Sequence, residues 1–362
     1  TTTVIILIGN GVPTAMSRYL SEAFIQNPGS IHAIKRAGII LQTLIIGAIT
    51  LIFFFFAPII SRLLGDSSLT PLFQLSSLII PAFAASSFYF YYFTGIHRFH
   101  TQATLKIARA LLRATLLVAL VVLFKIYGAI VGYILVPFLT FTIGTFFDRR
   151  SSTDFPPEEK PVFSLRNLLS AAWPITFFLV FYEIFISIDL YLVKAILHND
   201  QETGFYNAAL TLGRIPYYLF YALSIVLLPT LAKLNGEGNP EKISKLMTSS
   251  LRYAGIILIP IATLLFAYAE QASSLFFGQD YVAAAPALEV LAFGLSCLTV
   301  FYIVATGLIG LGRAKLAMWL AIAGTAVDVL LNILAIKSFG ILGAAWATAI
   351  SSFIVTLASL II

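Results

Sequence analysis

Apolar residues run unbroken for about 17 to 30 positions at a time along this chain, and polar residues collect in the short gaps between the runs. A run of that length matches a helix crossing the hydrocarbon core of a bilayer. The runs fall at 1–19, 37–60, 72–95, 103–124, 127–147, 168–193, 204–231, 248–269, 285–309, 315–336 and 341–362. Membrane β-strands would instead show short segments of alternating polarity. The pattern therefore predicts an all-α, polytopic integral membrane protein with about 11 transmembrane helices.

The polar gaps give the orientation. Of 22 lysines and arginines, all but five fall at one set of helix ends, among them Arg18, Lys35, Arg98, Arg149, Arg166, Lys233, Lys242 and Arg313. Arg62, Lys125, Lys194 and Lys337 fall at the other set, and Arg214 lies inside a span. The positive-inside rule makes the rich side cytoplasmic in a cell membrane. The chain opens at Thr1 without a basic segment, so 1–19 reads as a span rather than a signal peptide, with a first helix expected before it.

Composition narrows the partners. Hydrophobic residues make up 59% and charged residues 10%, against about 25% charged in soluble domains. The net charge of +6 suits anionic membrane lipids, and no basic stripe with interleaved aromatics points to nucleic acid. The single cysteine, Cys297, excludes an internal disulfide and a cysteine metal cluster. His32, His97, His100 and His198 have no metal-site spacing, and no cofactor motif is present.

Residues 148–166, with Pro156, Pro157 and Pro161 among charges, read as a cytoplasmic linker between lobes 1–147 and 167–362. The lobes repeat. Asn27-Pro28 recurs as Asn239-Pro240, Thr94-Gly95 as Thr306-Gly307, and Lys125 with Gly128 as Lys337 with Gly340, all at one common spacing. Six intervening helices keep the copies in the same orientation, which makes this a parallel repeat of two six-helix lobes. Such a repeat predicts a cavity between the lobes and transport by rocking one against the other.

Ionisable groups inside spans are the candidate site, because each is costly in lipid unless paired or wet. They are Glu183 and Asp189 in 168–193, Arg214 in 204–231 and Asp328 in 315–336. At about 1.5 Å per residue, Arg214 lies about 15 Å below the outer end of its helix. On the same rise Asp189 and Glu183 lie about 10 and 20 Å down theirs. Arg214 is then either a cavity cation for an anionic substrate group or half of a fixed buried pair. Asp328 and Asn332 share a helix face, as a site for a proton or sodium ion or as a hydrogen-bonding pair between helices. Arg18 either faces the cavity mouth or snorkels to headgroups. Lys106, Arg109 and Arg113 recur on one face, to greet a phosphate or to enforce orientation. The run Phe88 to Phe93, at a helix end, fits an interfacial aromatic belt or a sugar platform.

Several stretches resemble a known family. Gly11-Val-Pro-Thr-Ala-Met-Ser-Arg18 is similar to the second helix of polysaccharide flippases, and Gly204-Phe-Tyr-Asn-Ala-Ala208 running to Leu228-Pro229 is similar to their eighth. Asn332 with Phe339-Gly340-Ile-Leu-Gly343 resembles their eleventh-to-twelfth helix junction, and Thr306 to Arg313 the loop before it. The chain looks like a Wzx-type flippase of the multidrug/oligosaccharidyl-lipid/polysaccharide exporter superfamily, with a MATE-like fold. The resemblance implies translocation of a polyprenyl-diphosphate-linked oligosaccharide to the outer leaflet, with H⁺ or Na⁺ as coupling ion and a cationic cavity for the diphosphate. A MATE-type drug/cation antiporter is the competing reading, since the spans hold three acids and one arginine. A glycosyltransferase would carry its chemistry on large outer loops, which this chain lacks.

Overall fold

The computed structural model describes residues 10–63, 70–151 and 163–361. Among these, eight helices are long and apolar enough to cross a membrane. Two of the eight carry a pair of predicted spans each, Phe99–Arg149 with 51 residues and Ala314–Ile361 with 48. Residues 1–9 of the span 1–19 lie outside the described residues, as do residues 152–162 of the predicted linker.

In chain order the helices are α1 Gly11–Gln26, α2 Ile31–Leu63, α3 Thr70–Ser77, α4 Ile79–Gly95, α5 Phe99–Leu112 and α6 Val118–Ser151. There follow α7 Leu165–Phe185, α8 Ile188–Leu197, α9 Asp200–Gly213, α10 Ile215–Gly236 and α11 Pro240–Ala267. The last three are α12 Ala269–Phe277, α13 Ala285–Gly310 and α14 Ala314–Ile361. Contacts divide the chain into two compact units, Thr1–Thr176 and Phe177–Ile362, so the division falls within α7.

The helices end where the sequence gives them a stop. Asn239 opens α11 by accepting from the Lys242 amide at 3.0 Å, with Pro240 in the first turn, where its missing N–H costs nothing. Asn199 opens α9 by accepting from the amides of Gln201 and Glu202. Within the spans, threonines return their hydroxyls to the carbonyl four residues back, as Thr94 does to Phe90 and Thr306 to Tyr302, since lipid offers them no partner.

Each unit has one helix enclosed by the others. In the second it is α13, where Leu291, Leu295, Leu298 and Phe301 are buried, with Ala292, Gly294 and Ala305 letting neighbouring backbones approach closely. In the first it is α4, which packs against α1, α2, α5 and α6. That packing corrects the reading of Phe88 to Phe93 as an interfacial belt. Five of these six aromatics are buried, with Tyr92 and Phe93 fully so, and they stack on one another. A helix enclosed on every side buries consecutive residues whatever their spacing.

The repeat is present in each unit, in a register that differs from the sequence matches. α4 ends with Arg98 N–H donating to the Phe93 carbonyl at 2.8 Å and His97 in the left-handed region at φ 57°. α13 ends with Arg313 N–H donating to the Leu308 carbonyl at 2.7 Å and Gly312 at φ 80°. These are the same helix-closing turn, with the orphan carbonyls taken up in the same way. Farther on, α6 breaks at Lys125 (φ 52°, ψ −126°) and α14 at Gly340 (φ 57°, ψ −140°). Just past each break a glycine lets the chain fold back on itself. A Cβ on Gly128 would lie 1.8 Å from the Leu120 carbonyl oxygen, and one on Gly343 would lie 2.3 Å from that of Ala335.

Hence Asn27-Pro28 does match Asn239-Pro240, but Lys125 matches Gly340 rather than Lys337, and Arg98 matches Arg313. The extra residues of the second copy lie between these points, on a stretch that includes α12 and the 3₁₀ turn Gln279–Ala284.

Candidate functional site

Two helix breaks meet in the second unit. The predicted span 168–193 is divided between α7 and α8 at Ile186 and Ser187, and 204–231 is divided between α9 and α10 at Arg214. Pro216, in the first turn of α10, accounts for the second break. Breaking a helix frees carbonyls that lipid cannot satisfy. Arg214 supplies the donor. Its Nη2 donates to the Ile186 carbonyl and, at 3.2 Å, to the Ser187 hydroxyl, while its buried Nε has no partner among the described residues. The arginine is therefore seated on the break rather than in an ion pair. Glu183, half-buried, makes no ion pair with it, and neither does Asp189.

Two residues beyond the break, Asp189 sits in the first turn of α8, where the helix dipole favours an acid, and it is fully buried. Its Oδ2 accepts from Tyr206 Oη at 2.7 Å and from Thr348 Oγ1 at 3.1 Å, and its Oδ1 accepts from the Leu190 amide at 2.8 Å. Thr348 leads to the second carboxylate. Ser351, on the same face of α14, donates to Asp328 Oδ1 at 2.8 Å, and Asn332 Nδ2 donates to the same oxygen at 3.1 Å. Asp328 and Asn332 are fully buried, and Asp328 Oδ2 and Asn332 Oδ1 have no hydrogen-bond partner among the described residues.

The structure thus gathers Asp189, Asp328 and Asn332 into one enclosed cluster. It adds Tyr206, Thr348 and Ser351, uncharged residues that no charge in an apolar run marks. Thr348, Ser351, Ser352, Thr356 and Ser359 form a polar stripe at helical spacing on an otherwise apolar helix, and that stripe was the legible signal. Two enclosed carboxylates call for positive charge. The oxygens around them, from carboxylate, amide and hydroxyl groups, are the hard donors that suit a proton or a hard cation.

The other candidates lie in the first unit. Arg18 pairs with Glu22 at 2.6 Å, four residues along α1, and lies over the Tyr19 ring. Arg113 lies at the join of α5 and α6 and donates to Tyr133 Oη at 3.0 Å. Among the described residues no group of three or more His, Cys, Asp or Glu side chains could hold a metal ion.

These features define a class: a multi-pass membrane protein with the fold of transporters and flippases, not of enzymes. Solved structures of the same fold include the Vibrio cholerae MATE transporter VcmN in its bent form, with a TM-score of 0.83 at 14% identity over 99% of this chain and 84% of that one. The MATE transporter ClbM in complex with Rb⁺ gives 0.81 at 18%, over 99% and 83%. The chain belongs to the polysaccharide biosynthesis protein family, whose model matches residues 1–235, and the MatE model matches 174–334.

Among relatives, the uncharacterized membrane protein MJ1068 of Methanocaldococcus jannaschii is 31% identical over 148 residues, 41% of this chain and 29% of that protein. The probable low-salt glycan biosynthesis flippase Agl15 of Haloferax volcanii is 24% identical over 159 residues, 44% and 34% of the two. The matched segments span about a third of the length of these two relatives.

Proposed function

We propose that the protein translocates a polyprenyl-diphosphate-linked oligosaccharide from the cytoplasmic to the outer leaflet by alternating access, and that Na⁺ or H⁺ bound between Asp189 and Asp328 drives the cycle. The family match over residues 1–235 and the similarity to a probable glycan flippase support the substrate class. The observation that carries the coupling is the enclosed carboxylate pair, with Asp328 Oδ2 and Asn332 Oδ1 left without partners. A buried oxygen with no donor costs about 1–3 kcal/mol, and a proton or cation that binds in one state of the cycle removes that cost. Arg214, as a cation seated on a helix break, is the group in this unit that meets the anionic substrate. Arg18 and Glu183 are further substrate contacts in this reading.

The second reading, a cation antiporter, is favoured by one observation: the MatE match covers both carboxylates. The two are separated by full-length protein in liposomes, given a fluorescent lipid-diphosphate oligosaccharide and a cationic dye under imposed Na⁺ or pH gradients. Glycolipid movement that follows one gradient, and loses that dependence in Asp328→Asn, is expected. Movement of the dye alone would make the protein an antiporter.

A further inference from the structure

The matched turns fix which residues of the two units occupy equivalent positions. The register that pairs Arg98 with Arg313 and Lys125 with Gly340 also pairs Arg113 with Asp328 and Tyr133 with Thr348. In the second unit the buried Asp328 accepts from Ser351 of the following helix, one turn beyond Thr348, and Thr348 itself donates to Asp189. In the first the matched position holds a cation beside a hydroxyl from the following helix, since Arg113 Nη2 donates to Tyr133 Oη at 3.0 Å. The chain has kept the position and inverted its charge.

Three features indicate what Arg113 is for. It lies about 21 Å along the rod from Phe99 and about 18 Å before the break at Lys125, hence near the middle of a bilayer-spanning segment. A side chain there cannot snorkel to either headgroup layer, so the guanidinium must face water or an anion. None of Lys106, Arg109 and Arg113 has a carboxylate partner among the described residues. The helix also loosens into a π-turn at Arg113–Leu117, an irregularity found mostly at functional sites. Arg109, one turn nearer the cytoplasm, is held over the Phe83 ring at 4.4 Å and the Phe90 ring at 5.6 Å, and Lys106 follows it at the next turn. Together they make a ladder of positive charge from the cytoplasmic end to mid-membrane, with its top rung oriented by a tyrosine.

We propose that Arg113, Tyr133 and Arg109 form an anion site in the first unit that takes a phosphorylated group, the diphosphate of the transported lipid. The same register of the second unit then serves the coupling cation, so the duplicated fold divides anion and cation between its two copies. The proposal rests on reading the protein as a flippase of an anionic lipid. Guanidinium groups suit the role because each can offer two parallel N–H donors to a phosphate.

The test is binding of farnesyl diphosphate, inorganic diphosphate and farnesol to purified full-length protein, by calorimetry and by shift of the unfolding midpoint. Farnesyl diphosphate should bind and farnesol should not. Arg113→Gln should weaken binding at least about tenfold, the loss of one strong charge-assisted contact, while the exposed cytoplasmic control Lys242→Gln leaves it unchanged. Inorganic diphosphate that competes shows that the headgroup alone is read, and absence of competition shows that the lipid form is required. Arg113→Lys and Tyr133→Phe, which keep the charge, should fold and bind several-fold more weakly, should the glutamine variant not fold. Equal binding by wild type and Arg113→Gln, or no binding by wild type, overturns the site. If binding depends on Arg113 yet liposomes move only the cationic dye, the anion site stands and the flippase reading falls.

Discussion

Asp328 and Asn332 illustrate how much a residue's meaning depends on what faces it. Four residues apart on one helix, they read from sequence as an ion site or as glue between helices. In the structure Asn332 turns back to Asp328 itself, donating to its carbonyl and carboxylate, and leaves one oxygen of each residue without a donor. Tyr206 and Thr348 hold the neighbouring carboxylate, and removing either hydroxyl should destabilise the protein. Tyr206→Phe or Thr348→Val should each cost about 1–3 kcal/mol, read as a lowered unfolding midpoint. If the cluster binds Na⁺, replacing K⁺ by Na⁺ at constant ionic strength should raise the wild-type midpoint. A concentration of about 100 times Kd would add ~2.7 kcal/mol. Asp328→Asn should abolish the increment. A midpoint indifferent to Na⁺, with transport that follows a pH gradient, would assign the site to a proton.

Arg214 and Lys125 belong to the scale of elements, because each acts on how a helix is interrupted. Arg214 satisfies a carbonyl that the break between α7 and α8 sets free, so Arg214→Ala should destabilise the junction as well as stop transport. Arg214→Lys, which can still donate, should recover stability before activity. If Arg214→Ala leaves both unchanged, the residue has no part in either. Lys125 holds a backbone conformation that only glycine adopts without strain, and the second unit has Gly340 in its place. Lys125→Gly should therefore raise stability by about 1 kcal/mol. Gly128→Val, with a Leu120 carbonyl in the way, should abolish folding of the hairpin. Thermal unfolding in detergent measures both.

For the whole molecule, the charge asymmetry makes a prediction about sidedness. In a Cys297→Ser background, a cysteine at Lys125 or Lys337 should react with a membrane-impermeant thiol reagent added outside intact cells. One at Arg98 or Arg313 should react only after the membrane is opened. The reverse pattern would invert the orientation. The same duplicated plan also explains why the two units differ in chemistry while agreeing in geometry. Turn hydrogen bonds and breaks are backbone features kept in both copies, whereas the side chains at the matched positions, Arg113 and Asp328, are free to diverge.

How much of this was legible beforehand divides along physical lines. The apolar runs determined the fold class, and the sorting of lysine and arginine set the orientation to be expected. Burial in lipid is decided by length and polarity, and the positive-inside bias by loop charge, and both are properties of the chain alone. Asp189, Asp328 and Arg214 were visible for the same reason, since a charge in an apolar run stands out. The repeat was visible as well, but its register was not, because identical dipeptides do not mark equivalent backbone and the turns that do are built from different residues. Only the tertiary structure decided that Arg214 sits on a helix break, that Phe88 to Phe93 are enclosed, and that Tyr206, Thr348 and Ser351 complete the acidic cluster. Each of those depends on which helix lies alongside, and packing between helices is set by shape across the whole unit rather than by any local pattern.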